Sequence, residues 1–227
     1  AWMAAFNAEA TRLGGEGHAQ ALLDLTKAFE TVNHRKLAQA ARHLGFDPTV
    51  LRLSLAAYRI PRSVGNDGMY AETVKASRGI VAGSGFATTE LRILLTAVIR
   101  EIMARWGEAA DLTLYVDDLT IATRGDPVAA ARRCGEIVAY VAQRFEQLGL
   151  VMSTKKSVVV ASSAPMAAAA ARHAGGKVRP VKGAKLLGTA TTAARARCSK
   201  VLQTRLKTFQ AQRPRYHALR RQGVDTA

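Results

Sequence analysis

Residues 114–121 read LYVDDLTI, and the two adjacent aspartates, Asp117 and Asp118, constrain the fold more than any other feature because they interrupt apolar, β-branched runs. Burying a carboxylate is costly unless it is neutralised, and a second one beside it adds repulsion. A strand, a tight turn at Asp117-Asp118 and a second strand would lift both side chains to a hairpin tip, where a divalent cation can bind. A plain solvated turn is the reading an isolated Asp-Asp dipeptide would invite. The rest of the sequence has to decide between them.

With 227 residues and 48% hydrophobic content the chain can hold one large domain, or one domain with an appendage, around a real core. It has no run of 18 apolar residues and no charged-then-apolar start with a small-residue cleavage site, so neither membrane insertion nor export is expected and an intracellular protein is. It begins at Ala1, as expected of a segment of something longer. Cys134 and Cys198 lie far apart without Cys-x-x-Cys or Cys/His spacing, which speaks against a disulfide framework or a zinc site. The five histidines include no His-Glu-x-x-His.

Charge is more informative. The formal net charge is +16, and it is unevenly placed. Residues 1–165 carry 19 basic and 16 acidic side chains, whereas residues 166–227 carry 14 basic ones and a single acid, Asp225. Such a segment binds a polyanion by releasing counterions, and nucleic acid is the default polyanion; a merely solvated basic tail is the alternative.

Periodicity orders the chain. ALLDL, residues 21–25, reads as a buried strand with Asp24 near its end, and residues 34–44 as an amphipathic helix stopped by Gly45. A second helix is expected over about 49–59. A hairpin around Asn66-Asp67-Gly68 then leads into a strand over 69–76. GIVAGSG, residues 79–85, is a glycine-rich loop ahead of a long helical pattern, TTELRILLTAVIREIMARW. Strands over 112–116 and 119–123 flank the aspartates, and Gly125-Asp126-Pro127 opens a helix running to about Leu148. A strand over 156–161 follows, then an alanine-rich helix ended by Gly175-Gly176, a strand or hairpin in VKGAKLLGTA, and basic helices over 193–221. The order predicts an α+β fold, an antiparallel sheet with helices on one face.

Asp24 and Asp117 each end or cap a strand expected near the sheet centre. Two carboxylates from separate strands suit a two-metal phosphoryl-transfer site with ions about 3.5–4 Å apart, and Mg²⁺ takes oxygen ligands. Here the chain resembles a reverse transcriptase, nearest to those of non-LTR (LINE-type) retrotransposons. LLDLTKAFETVNH resembles the first catalytic motif of that family and LYVDDLTI its [Y/F]xDD motif. GIVAGSGFATTEL stands in the place of the G-x-x-Q-G-x-x-x-S-P loop and helix, LGLVMSTKKSVVV resembles the next motif, and VKGAKLLGT the primer-grip hairpin. The resemblance runs from about residue 19 to 190 in order. It implies a palm over 19–165, a primer-grip hairpin and basic thumb-like helical segment over 166–227, and a remnant of fingers or a connecting helix over 1–18, with Trp2, Phe6 and Leu13 on one helix.

The resemblance also implies roles. Asp24 and Asp117 would hold two Mg²⁺ ions, or Mn²⁺, with Asp118 a weaker third ligand or electrostatic support and Leu25 lending a backbone carbonyl. The primer 3′-hydroxyl would attack the α-phosphate of a dNTP paired to an RNA template. Phe29 would exclude a ribose 2′-hydroxyl; as a residue alone it reads as core. Lys156 would protonate the leaving pyrophosphate or is simply one of two surface lysines. Gly83 and Ser84 would sit against nucleotide or template backbone, or form an ordinary pre-helix loop; Arg78 touches phosphate or is solvated. Tyr115 packs on the primer end or fills the core.

Lys182, Lys185, Leu187 and Gly188 would grip the primer, and Arg195, Arg197, Lys200, Arg205 and Lys207 would follow duplex phosphates without reading sequence. Ala82 departs from the family's glutamine, the Ser-Pro pair is not present, and few residues precede the palm to supply fingers; endonuclease or RNase H regions would belong to a longer polyprotein. Those departures favour a second reading, a catalytically impaired reverse-transcriptase-like nucleic-acid-binding protein. A third, an RNA-dependent RNA polymerase, is disfavoured by Phe29. The resemblance alone implies a nuclear location.

Overall fold

The computed structural model describes residue 11 and residues 14–186, 189–191 and 200–222. Trp2, Phe6 and Leu13 lie outside the described residues. Along the chain run β1 (Gly17–Leu23), β2 (Leu25–Thr26), α1 (Ala28–Thr31), α2 (His34–His43), α3 (Pro48–Tyr58), β3 (Gly65–Asn66), β4 (Met69–Tyr70) and α4 (Ala87–Trp106). There follow β5 (Asp111–Tyr115), β6 (Asp118–Gly125), α5 (Pro127–Leu148), β7 (Val151–Met152), β8 (Val158–Ala161), α6 (Ala164–His173), β9 (Arg179–Pro180), β10 (Ala184–Leu186), β11 (Thr189–Thr191) and α7 (Lys200–Arg221).

Every residue of β1 but Leu22 is buried, which requires a neighbour on both edges and cover on both faces. β1 pairs antiparallel with β6, Leu23 opposite Leu119, and with β8, Leu22 opposite Val158. The sheet order is β5-β6-β1-β8-β9. The α+β architecture expected from the sequence is the one observed, with β8 and β9 forming a parallel pair in an otherwise antiparallel sheet. β1 itself starts earlier than its apolar run suggested, because His18 and Gln20 are buried in it.

α5 covers one face. Asp126 caps it by accepting from the Ala129 amide at 2.8 Å, Pro127 opens it, and Gly149 closes it in the left-handed region. Its buried stripe, including Ala130, Cys134, Ile137, Val138, Val141 and Phe145, repeats at helical spacing, and the Thr123 hydroxyl of β6 donates to Ala130 O at 2.8 Å. Burial pushes the Cys134 thiol up to about 12, so it is an inert core residue. α4 is tied to α5 through Glu101, whose carboxylate accepts from Arg144 Nε and Nη2 and from the Tyr140 hydroxyl, each at 2.7 Å.

Two expectations shift. The strand predicted over 69–76 stops at Tyr70, because residues 59–75 are all exposed and a two-stranded ribbon with no buried face does not extend. The turn expected at Asp117-Asp118 falls one residue earlier, at Val116-Asp117, with Tyr115 opposite Asp118. The buried set Leu119, Ile121 and Thr123 fixes the β6 register against β1, and a one-residue slip would turn that set outward. Val116 carries the resulting strain, with φ 58°.

Candidate active site

Leu22, Thr120 and Val158 lie directly opposite one another across β1, β6 and β8 and therefore share a face. Asp24 lies two residues beyond Leu22, Asp118 two before Thr120 and Lys156 two before Val158, so alternation brings all three to that face at one end of the sheet. They line an open cleft of about 310 Å³ to which Val181, Gly183 and Ala184 also contribute.

The backbone at Asp24 is fixed from the β7–β8 connection. Its amide donates to Ser157 Oγ at 3.1 Å, and its carbonyl accepts from the Ser153 amide at 2.8 Å. Oδ2 is 3.6 Å from Lys156 Nζ, whereas Oδ1 is buried with no hydrogen-bond partner. Burial, and then the charges of Asp117 and Asp24, push the Asp118 carboxyl above its ordinary range. The cleft thus concentrates negative charge that one exposed lysine only partly offsets.

An orphaned carboxylate oxygen and mutually repelling aspartates fit a hard divalent cation such as Mg²⁺. Among the described residues no group of three or more carboxylate, imidazole or thiol side chains is already gathered as a metal cage, so such an ion would draw further oxygens from substrate and water. Asp117 sits on the turn, half-buried, and is not among the cleft-lining residues. Tyr115 shares Asp118's face by register and is 59% exposed, so it does not fill the core. Leu25 is buried and pairs with Met152.

The glycine loop is tied to the segment after Asp24. The Gly79 amide donates to Val32 O at 2.7 Å and the Ile80 amide to Phe29 O at 2.8 Å, while Arg78 bridges to Asn33 and is exposed. Phe29 packs half-buried on the core. His34 bonds the Gly79 carbonyl through Nε2 at 2.6 Å and accepts Arg59 Nε–H on Nδ1 at 3.2 Å; the tautomer with its proton on Nε2 satisfies both contacts. Ala82 and Gly83 are exposed, Gly83 with φ 92°. Ser84 bonds the Tyr58 hydroxyl at 3.0 Å, and Tyr58 in turn bonds Glu90 at 2.8 Å.

On the basic side, Lys182 is exposed beside the cleft residue Gly183, Lys185 lies on β10, and Lys200, Arg205 and Lys207 lie on α7, with Arg205 and Lys207 exposed. Leu187, Gly188, Arg195 and Arg197 lie outside the described residues. Among the described residues no helix is long and apolar enough to cross a membrane.

Ser153, Ser157, His34, Tyr58 and Glu90 were not read as site residues from the sequence. Ser157 carried one local signal, a hydroxyl immediately before the apolar run of β8. Tyr58 and Glu90 meet across 32 positions, and nothing local marks them.

The family model described as reverse transcriptase (RNA-dependent DNA polymerase) matches residues 6–217. Among solved structures the chain is similar to apo telomerase from Candida tropicalis, with 11% identity and TM-score 0.62, over 88% of this chain and 37% of that one. It is likewise similar to telomerase from Candida tropicalis in complex with the TWJ fragment of telomeric RNA, with 11% identity and TM-score 0.60, over 86% and 32%. Telomerase from Candida albicans in complex with the TWJ fragment of telomeric RNA matches at 13% identity and TM-score 0.55, over 85% and 33%. The chain thus spans about a third of the length of these neighbours, and the likeness is one of fold. No curated protein matches the chain.

Proposed function

The chain belongs to the reverse transcriptase (RNA-dependent DNA polymerase) family, and from that premise we propose that it forms the palm and the start of the thumb of an enzyme that copies RNA into DNA, of the non-LTR retrotransposon type. The observation that carries this reading is the pair Asp24 and Asp118 facing one cleft from adjacent strands, with Asp117 on the turn between β5 and β6. Asp24, Asp117 and Asp118 would hold two Mg²⁺ ions, aided by the Leu25 carbonyl. Bound there, the metal supplies a lowered pKa for the attacking primer 3′-hydroxyl and charge stabilisation for the leaving pyrophosphate.

The chain's own residues do the rest. Ser153 and Ser157 hold the Asp24 backbone so that its carboxylate meets the cleft in one orientation. Lys156, now beside Asp24, carries a proton that the leaving pyrophosphate can accept. Phe29, whose carbonyl accepts the Ile80 amide, would close the space a ribose 2′-hydroxyl needs and so select dNTPs. Tyr115 offers an exposed ring to the primer end. Lys182, Lys185 and the α7 cations Lys200, Arg205 and Lys207 follow the primer–template phosphates, so binding weakens steeply with salt. Fingers supplied by a longer chain would complete the nucleotide pocket.

Primer extension on an RNA template with Mg²⁺, offering dNTPs and rNTPs separately, tests the reading on this chain and on a version extended upstream. DNA product that Asp117→Asn lowers by on the order of 10³-fold is expected. Absence of product from both, with salt-sensitive RNA binding retained, would replace polymerisation with a binding-only role. That second reading draws its support from Ala82, which stands exposed in the glycine loop where the resembled motif has glutamine.

A further inference from the structure

The segment 79–85 is anchored at both ends and exposed in the middle, where the Val81 carbonyl accepts the Ser84 amide at 3.0 Å. At its start, the amides of Gly79 and Ile80 are bonded to the chain that follows Asp24, and the Gly79 carbonyl is held by His34. Gly79 is needed there: its φ is 92°, and a Cβ would stand 3.0 Å from Glu30 O. At its end, Ser84 is held by Tyr58, the last residue of α3, and Tyr58 by Glu90 in the first turn of α4. Between these anchors Val81, Ala82 and Gly83 are exposed.

The second anchor is chemically odd. Glu90 is 0% exposed, and its Oε1 has no hydrogen-bond partner. For stability alone a leucine would fill this site without an orphaned oxygen, since an unpaired buried polar atom is costly. Proton counting says what the glutamate does. Tyr58 has a single hydroxyl proton and two oxygen neighbours, Glu90 Oε2 at 2.8 Å and Ser84 Oγ at 3.0 Å. The carboxylate is the stronger acceptor and the nearer one, so the phenol donates to it. The phenol oxygen must then accept from Ser84, and Ser84 Oγ in turn accepts the Phe86 amide at 3.4 Å. The bonds run in one direction, Ser84 to Tyr58 to Glu90, so Tyr58 holds the serine side chain and Glu90 orients Tyr58.

We infer that Tyr58 and Glu90 are positioning residues that fix Ser84, and with it the exposed stretch 81–83, in the one conformation that meets the nucleotide or template. The service to synthesis rests on the polymerase reading above; the clamp itself does not.

The test therefore has two readouts on the intact chain, with Tyr58→Phe, Glu90→Leu and Glu90→Gln compared with wild type. Glutamine keeps a carbonyl to accept the Tyr58 proton, so Glu90→Gln is the conservative variant that should rescue. Hydrogen exchange at residues 81–84 is expected to quicken about three- to tenfold in Tyr58→Phe and Glu90→Leu, the worth of one hydrogen bond. Glu90→Gln should stay near wild type. In primer extension the first two variants should raise KM for the nucleotide by a similar factor at unchanged kcat.

Unaltered loop exchange in Tyr58→Phe, or a Glu90→Gln as damaging as Glu90→Leu, would overturn the clamp. Quickened exchange with KM unmoved would overturn its role in synthesis. Should Glu90→Leu fail to fold, Tyr58→Phe alone decides, because it removes a single oxygen. If neither this chain nor its upstream-extended version extends a primer, exchange still decides the clamp, and only the polymerase reading falls.

Discussion

The aspartate end of the sheet and the glycine loop are held by different means. Asp24 and Asp118 are placed mainly by backbone: seven residues of β1 pair with β6, four with β8, and the main chain of Asp24 is bonded further by the Ser153 amide and the Ser157 hydroxyl. The loop 79–85 is placed partly by side chains, His34 at one end and Tyr58 with Glu90 at the other. Backbone pairing tolerates most substitutions on either side of it, whereas a side-chain clamp is lost with one atom. The sheet should therefore fail only as a whole, and the loop alone.

The largest expected effect tests the sheet. His18 lies buried on β1, its Nδ1 without a partner, and burial holds its pKa down to about 4, with Asp111 opposing and Arg124 reinforcing the shift. An unfolded histidine titrates near its ordinary 6.5. Between those values the unfolded chain takes up a proton that the folded chain refuses, so stability falls as pH drops through the window and levels off below about 4. The loss reaches about 3 kcal/mol. Urea unfolding at several pH values should show this slope, and His18→Gln should flatten it. A slope that persists in the variant would locate the acid weakness elsewhere.

Two glycine substitutions sharpen the contrast at smaller cost. In α5, a Cβ on Gly135 would stand 2.5 Å from Ala170 O and 2.4 Å from His173 Cβ, so Gly135→Ala forces α6 away and should cost about 2 kcal/mol of global stability. Gly79→Ala should cost about 1 kcal/mol through its positive φ. Its damage should appear in loop exchange and nucleotide KM more than in the melting temperature. Equal global losses for the two would mean that the loop is part of the sheet's cooperative unit after all.

The same division explains what could be read from sequence. Asp126-Pro127, Gly45, Gly149 and Gly175-Gly176 act on their immediate neighbours, so helix ends came out within a residue or two. The aspartates of ALLDL and LYVDDL were legible because charge inside an apolar run is a local anomaly. The turn register was not, since it depends on Leu119 lying opposite Leu23 across 96 positions. Nor was the strand beyond Tyr70, because period-2 alternation forecasts extension without telling whether anything covers the ribbon. The Ser84–Tyr58–Glu90 relay joins three elements through side chains and had no local signature at all.

The smallest effect bears on what the sheet positions its aspartates for. Asp118 has its carboxyl raised by burial and by Asp117 and Asp24, so the folded, metal-free chain is favoured at low pH and loses that advantage as pH rises through the raised value. At neutral pH the ionised cluster is a standing penalty. Asp118→Asn should therefore stabilise the metal-free chain by roughly 0.5 kcal/mol, a small gain because the site is partly solvated. The same change removes an oxygen charge that a cation would use, so the rise in melting temperature produced by millimolar Mg²⁺ in the wild type should shrink. A residue kept at a cost to the apo fold and recovered only with metal is placed for chemistry. If the asparagine variant instead melts lower without Mg²⁺, Asp118 is a structural carboxylate, and the sheet end is ordinary core like the rest of β6.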